Sequence, residues 1–160
     1  MNVHRELTIN ASADRLWQIL GDDYAKVGEW TTQVLSSQPN PDLRVGEGRV
    51  CVTDGFGDAK ETLTQYDEQK RELAYVATIE KMPFFVKEMA NAWRVEPKGE
   101  SRSIVHMDMN GKLLPVFKQI MTRPMSKQLA KSADLFLRDL KYYAETGDIH
   151  PEKKAQLAQS

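Results

Sequence analysis

The sequence is short of the features that would narrow its function at once. It has a single cysteine, Cys51, in 160 residues, so no disulfide can form within the chain. Charge is balanced: 22 lysines and arginines against 23 aspartates and glutamates leave a formal net charge of −1. Domains that bind nucleic acid through a basic surface carry a positive excess, which this chain lacks as a whole. No stretch approaches the roughly 18 apolar residues of a membrane-spanning helix. The opening MNVHRELTIN has no apolar run of the kind a signal peptide needs. Internal repeats and low-complexity tracts are absent. A chain of this length buries about 68–70% of its unfolded surface, so one domain can stand without staples. The expectation is a cytoplasmic domain, monomeric or homodimeric, without nucleic-acid partner, integral membrane segment or cofactor.

What is present is a long helical pattern near the end. Between 116 and 145, Val116, Phe117, Ile120, Met121, Met125, Leu129, Leu135, Phe136, Leu140 and Tyr143 recur mostly at spacings of three or four, which predicts one apolar helix face. Lys118, Gln119, Lys127, Lys131, Arg138 and Lys141 take the other face. Pro124 falls inside this pattern, and proline costs about 3 kcal/mol in a helix interior. A kink there, or a second helix beginning at Pro124, is expected.

Ahead of that helix the pattern is mainly that of strands. Alternation over 3–10 predicts a strand, and Ser12 is the N-cap of a helix ending at Gly21. A second short helix spans 24–28 and leads through Trp30 to a strand at 31–37. Pro39, Asn40, Pro41 and Asp42 mark a loop. Strands follow at 46–53, 59–66, 71–79, 87–95 and 101–110, joined by short turns such as Asp54-Gly55-Phe56-Gly57-Asp58, which makes neighbours antiparallel. The residues after Gly147 are polar and read as a frayed tail. The fold class is therefore α+β: a domain over 1–147 and a polar tail over 148–160.

The order of elements and certain residues together resemble the START-like, or Bet v 1-like (SRPBCC), superfamily, also called the polyketide cyclase/dehydrase and lipid-transport group. The matching residues run from Ile9-Asn10-Ala11-Ser12 to Leu16-Trp17-Gln18-Ile19-Leu20, then Trp30, Gly48-Arg49-Val50, Glu61-Thr62-Leu63, Tyr66-Asp67, Leu73-Ala74-Tyr75, Trp93-Arg94-Val95 and Asp139-Leu140-Lys141-Tyr142-Tyr143. The resemblance implies a helix-grip fold, with a seven-stranded curved antiparallel sheet wrapped around the final helix. It also implies an apolar cavity between the two, holding a small apolar or amphipathic, lipid- or polyketide-like molecule. One fold hosts many functions, so a cyclase, dehydratase or tautomerase, and an interaction module with a filled pocket, stay open.

The candidate site residues are Arg49, Glu61, Tyr75, Asn91, Trp93, Met107, Met121 and Met125. Arg49 and Glu61 flank the Gly55–Gly57 turn and are both odd-numbered, so a register with an even residue sum puts them on one face. Turned inward, the pair can grip a polar ligand group or move a proton, since burial can raise a carboxyl pKa. A plant tautomerase-like enzyme of the resembling group uses an arginine and a glutamate at the matching positions. A structural salt bridge explains the pair as well. Tyr75, Asn91 and Trp93 are either an aromatic and polar pocket wall or packed core. Met82, Met89, Met107, Met109, Met121 and Met125 suit an adaptable pocket or ordinary core filling. The three histidines form no metal site: His4–Glu6 and His106–Asp108 read as outer-face partners. Cys51 reads as a small buried residue, and Gly55-Phe56-Gly57 lacks the lysine of a phosphate loop.

Overall fold

The computed structural model describes residues 1–41 and 47–160. The expected loop position Asp42 and strand start at Gly46 lie outside these. Strands β1 (Asn2–Ile9), β2 (Val34–Pro39), β3 (Gly48–Thr53), β4 (Gly57–Asp67), β5 (Glu72–Ile79), β6 (Val86–Pro97) and β7 (Ser103–Leu113) form one sheet. Its order is β1-β7-β6-β5-β4-β3-β2, antiparallel throughout. Consecutive strands from β2 to β7 are joined as neighbours, as short turns demand. β1 closes the far edge against β7. This is the helix-grip arrangement, and the long helix α2 (Pro115–Thr146) lies across the sheet.

Between β1 and β2, helix α1 (Ala13–Trp17) starts where expected: the Ser12 side chain accepts from the Arg15 N–H. It does not stop at Gly21. The chain continues in a wider turn over Gln18–Asp22, then a tighter one over Tyr24–Glu29. Gly21 sits inside the wide turn because of packing: a Cβ there would lie 2.5 Å from the Trp17 ring. Leu16, Trp17, Ile19 and Leu20 are buried, together with Tyr24, Val27 and Trp30.

α2 runs unbroken through Pro124, so no second helix starts there. The proline removes one bond, that to the Ile120 carbonyl, on a stretch exposed to solvent. The helix has two unlike halves. All its buried residues, Ala133, Phe136, Leu137, Asp139 and Leu140, lie in the second half. Val116 and Ile120, expected on the apolar inner face, are 82% and 74% exposed. Asp139 anchors the buried half. It is fully buried and accepts from the Thr31 and Thr32 hydroxyls, the Thr32 N–H and the neighbouring Arg138. Gly147, at φ 73°, caps α2 by donating its N–H to the Tyr143 carbonyl; left-handed backbone of this kind favours glycine.

The tail differs from the frayed end that its polar composition suggests. Pro151–Ala158 forms a helix, α3. Lys153 is fully buried and donates to the Val34 carbonyl and to Gln156 Oε1, at 2.7 and 2.8 Å. A charged group shed from water this way needs such partners. No helix among the described residues is long and apolar enough to cross a membrane.

Gly21→Ala should destabilise the fold by about 1–3 kcal/mol, the usual cost of forcing atoms into a packed site. Urea denaturation monitored by Trp17 and its neighbours' fluorescence checks it; an unchanged midpoint would show that the ring moves aside freely.

Candidate functional site

β3 and β4 meet in a register that sets Arg49 opposite Glu61, an even residue sum. Both side chains turn inward, at 4% and 7% exposure. Arg49 Nε donates to Glu61 Oε2 at 2.6 Å, and Arg49 Nη1 to the Tyr24 carbonyl at 2.6 Å. The Tyr24 hydroxyl donates to the same Glu61 oxygen at 2.9 Å. The guanidinium also lies over the Tyr24 ring at 3.9 Å and over the Tyr75 ring at 5.1 Å. Burial works against the Arg49 charge, but Glu61 and the two phenols more than offset it, and the group is held above its ordinary pKa. Burial also pushes the phenols of Tyr24 and Tyr75 upward, so both stay protonated at neutral pH.

Cys51 completes this cluster, with its Sγ 3.9 Å from Glu61 Oε1. Burial first, and the Glu61 charge second, push its thiol up to about 12. A nucleophilic cysteine has the opposite environment, so Cys51 is a packed, inert thiol.

The larger space lies elsewhere, beneath the middle of α2. A cavity of about 360 Å³, partly open to solvent, is lined by Tyr75, Ala77 and Ile79 of β5, Met89, Ala90 and Asn91 of β6, and Met125, Leu129 and Phe136 of α2, with Phe56 and Met82 from loops. No residue of α2 before Ala133 is buried, so the front of the helix does not seal the cavity. Within its wall Asn91 Nδ2 donates to Tyr75 Oη at 2.9 Å, and Asn91 Oδ1 has no partner among the described residues.

The eight candidate residues therefore fall into separate groups. Tyr75, Asn91 and Met125 line the cavity. Arg49 and Trp93 border a water-sized void of about 10 Å³ on the far side of Tyr75. Glu61 is held in the network just described, and Met107 is fully buried in the core. Met121 is half-buried on α2 and does not line the cavity. Of the methionine set, Met82, Met89, Met109 and Met125 do line it. Sequence reasoning missed Tyr24, whose hydroxyl is invisible to periodicity, and the polar rim residues Gln33, Thr53 and Asp54.

The histidines pair across strands, as the β1–β7 register directs, and not along them as expected. His4 Nδ1 lies 2.7 Å from Asp108 Oδ1, and His106 lies 3.5 Å from Glu6 and 3.1 Å from Glu96. His4, Glu6 and His106 offer potential ligand atoms within 4.8 Å of one another, but these imidazoles already face carboxylates, and the group reads as an outer-face polar network.

Arg49→Met should cost about 3–5 kcal/mol, because it strands a buried carboxyl; adding Glu61→Leu should recover part of that loss. Urea midpoints of the single and double variants test this, and simple additivity would mean the pair is not coupled. Cys51 should resist maleimide at pH 8 in the folded protein and react on unfolding, since a raised thiol pKa keeps the reactive thiolate scarce until strongly alkaline pH. Rapid labelling of native protein would contradict the buried position.

Solved structures share this fold at low sequence identity. A START superfamily protein from Mycobacterium smegmatis superposes with TM-score 0.70 at 12% identity, over 92% of this chain and 99% of that one. Norcoclaurine synthase from Thalictrum flavum, in complex with dopamine and hydroxybenzaldehyde, gives 0.61 at 19%, over 86% and 84%. The di-domain ARO/CYC BexL from the BE-7585A biosynthetic pathway gives 0.75 at 14%, over 89% of this chain and 45% of that one. No curated protein matches the sequence. A family match spans residues 1–145, and with it the sheet, α1 and almost all of α2: the chain belongs to the family described as polyketide cyclase / dehydrase and lipid transport.

Proposed function

We propose that this protein binds a small apolar or amphipathic molecule in the cavity beneath the middle of α2. The observation that carries the reading is the cavity itself, about 360 Å³ with four methionines and several rings on its wall. That volume falls in the range of small-molecule sites, which are apolar with a few placed polar groups. Thioether side chains adjust to ligands of varied shape. The Tyr75–Asn91 pair is the polar mark on the wall: the unpartnered Asn91 carbonyl favours a ligand with a hydroxyl or amine close to it. A side-chain-filled interaction module would need no such space.

Arg49 and Glu61 support a structural role more than a catalytic one. They bond to each other and to Tyr24, and neither lines the larger cavity. A catalytic group must come within hydrogen-bond reach of the reacting atoms. Their influence on a bound molecule passes through Tyr75, which touches both the void beside Arg49 and the cavity. Arg49 is a positioning residue in this reading.

An environment-sensitive apolar dye, anilinonaphthalene sulfonate, should bind one per protein and be displaced by long-chain or polycyclic alcohols. Leu129→Trp, which narrows the cavity, should weaken dye binding while the protein still melts cooperatively. Asn91→Leu should weaken hydroxyl-bearing competitors by about tenfold, the worth of one hydrogen bond, and leave hydrocarbon competitors unaffected. Dye affinity unchanged by Leu129→Trp would place the ligand elsewhere and end the reading.

A further inference from the structure

The two halves of α2 differ in charge as sharply as in burial. From Pro115 to Ala133 the sequence holds Lys118, Arg123, Lys127 and Lys131 and no aspartate or glutamate. In the second half the cations are matched: Arg138 pairs with Asp139 and Glu152, and Lys141 with Glu145. Arg123 and Lys127 make no ion pair among the described residues. A chain with a net charge of −1 therefore carries a concentrated, uncompensated positive segment.

Helical spacing puts two of these cations, Arg123 and Lys127, on one surface, while Lys131 lines the cavity. Val116, Ile120, Arg123 and Lys127 follow at intervals of four, three and four, which aligns them in a single stripe. All four are exposed, and the stripe points away from the cavity wall formed by Met125, Leu129 and Phe136. Its apolar end adjoins the loop between β5 and β6. There Phe84 is 72% exposed, and its ring packs edge-on against Phe117 at 5.3 Å. Phe84, Val116 and Ile120 are the three most exposed large apolar side chains among the described residues. They gather at one tip, with cations beginning one turn behind.

We infer that this tip and stripe dock on an anionic lipid bilayer. An amphipathic helix with exposed apolar residues and an all-basic polar complement is the pattern of interfacial binding. Phe84, Val116 and Ile120 enter the headgroup region, while Arg123 and Lys127 reach lipid phosphates. The same two segments supply cavity wall, through Met82 of the loop and Met125 of the helix. Docking therefore holds those two segments of the cavity wall against the bilayer, which shortens the path of a membrane-dissolved ligand to the cavity. That last role rests on the ligand-binding reading; the docking does not.

The test is co-sedimentation of the full chain with phosphatidylcholine vesicles, pure or with roughly one phosphatidylserine in three lipids. The protein should pellet with the anionic vesicles and not with the neutral ones. Raised salt should release it. Arg123→Glu with Lys127→Glu should weaken binding by about tenfold or more, since each basic residue near such a surface contributes substantially. Val116→Asn with Ile120→Asn should weaken it as well, with melting temperature unchanged because both sites are exposed. No anionic-vesicle binding, in protein that still takes up the dye, overturns docking and leaves the cavity reading intact. Equal binding to soluble polyglutamate, lost with the charge variants but not with the Asn variants, overturns it in favour of an acidic protein partner. Vesicle binding by protein that takes up no dye upholds docking and removes the ligand reading.

Discussion

The guanidinium of Arg49 has to be paired wherever the chain buries it, and much of the structure follows from how that is done. A buried, unpaired arginine would cost more than the fold can bear. Glu61 lies opposite it in register, Tyr24 supplies a carbonyl and a ring, and Tyr75 supplies a second ring. Those contacts draw the short turn after α1 down onto β3 and β4. One end of the space between sheet and helix is closed by this cluster, and the open volume is confined to the other side of Tyr75.

The second constraint is the division of α2. Asp139, fully buried among threonines and Arg138, fixes the rear half against the rest of the domain. α3 adds a clasp through Lys153, whose bond to the Val34 carbonyl ties the end of the chain to a strand that also borders the cavity. The front half has no buried side chain of its own, and the cavity lies under the middle of the helix. The proposed docking face and the proposed ligand site thus lie on opposite sides of consecutive, overlapping stretches of one helix.

The sheet was legible because its signals are local. Alternation gave the strands, and the turn around Gly55 and Gly57 set the sum that places Arg49 against Glu61. Parity alone could not separate cavity from core. Met107 and Met109 have the same parity on β7, yet one is sealed in the core and the other lines the cavity; the difference lies in where α2 stands off the sheet. Val116 and Ile120 fit an apolar pattern that is indifferent to whether anything covers them. The tail misled for a related reason. Lys153 reads as a solvated charge until Val34 and Gln156 are seen around it. Pro124 suggested a break, but at a solvent-facing position water can take the one orphaned carbonyl.

The central claim is that the space beneath the middle of α2 is occupied by a small molecule. Native mass spectrometry of the purified full-length protein, sprayed gently from volatile buffer, addresses it most directly. The account predicts a population heavier than the bare chain by one discrete small-molecule mass, lost on collisional activation and reduced in Leu129→Trp. A wild-type protein that is bare throughout, and stays bare after incubation with a lipid extract, would contradict it.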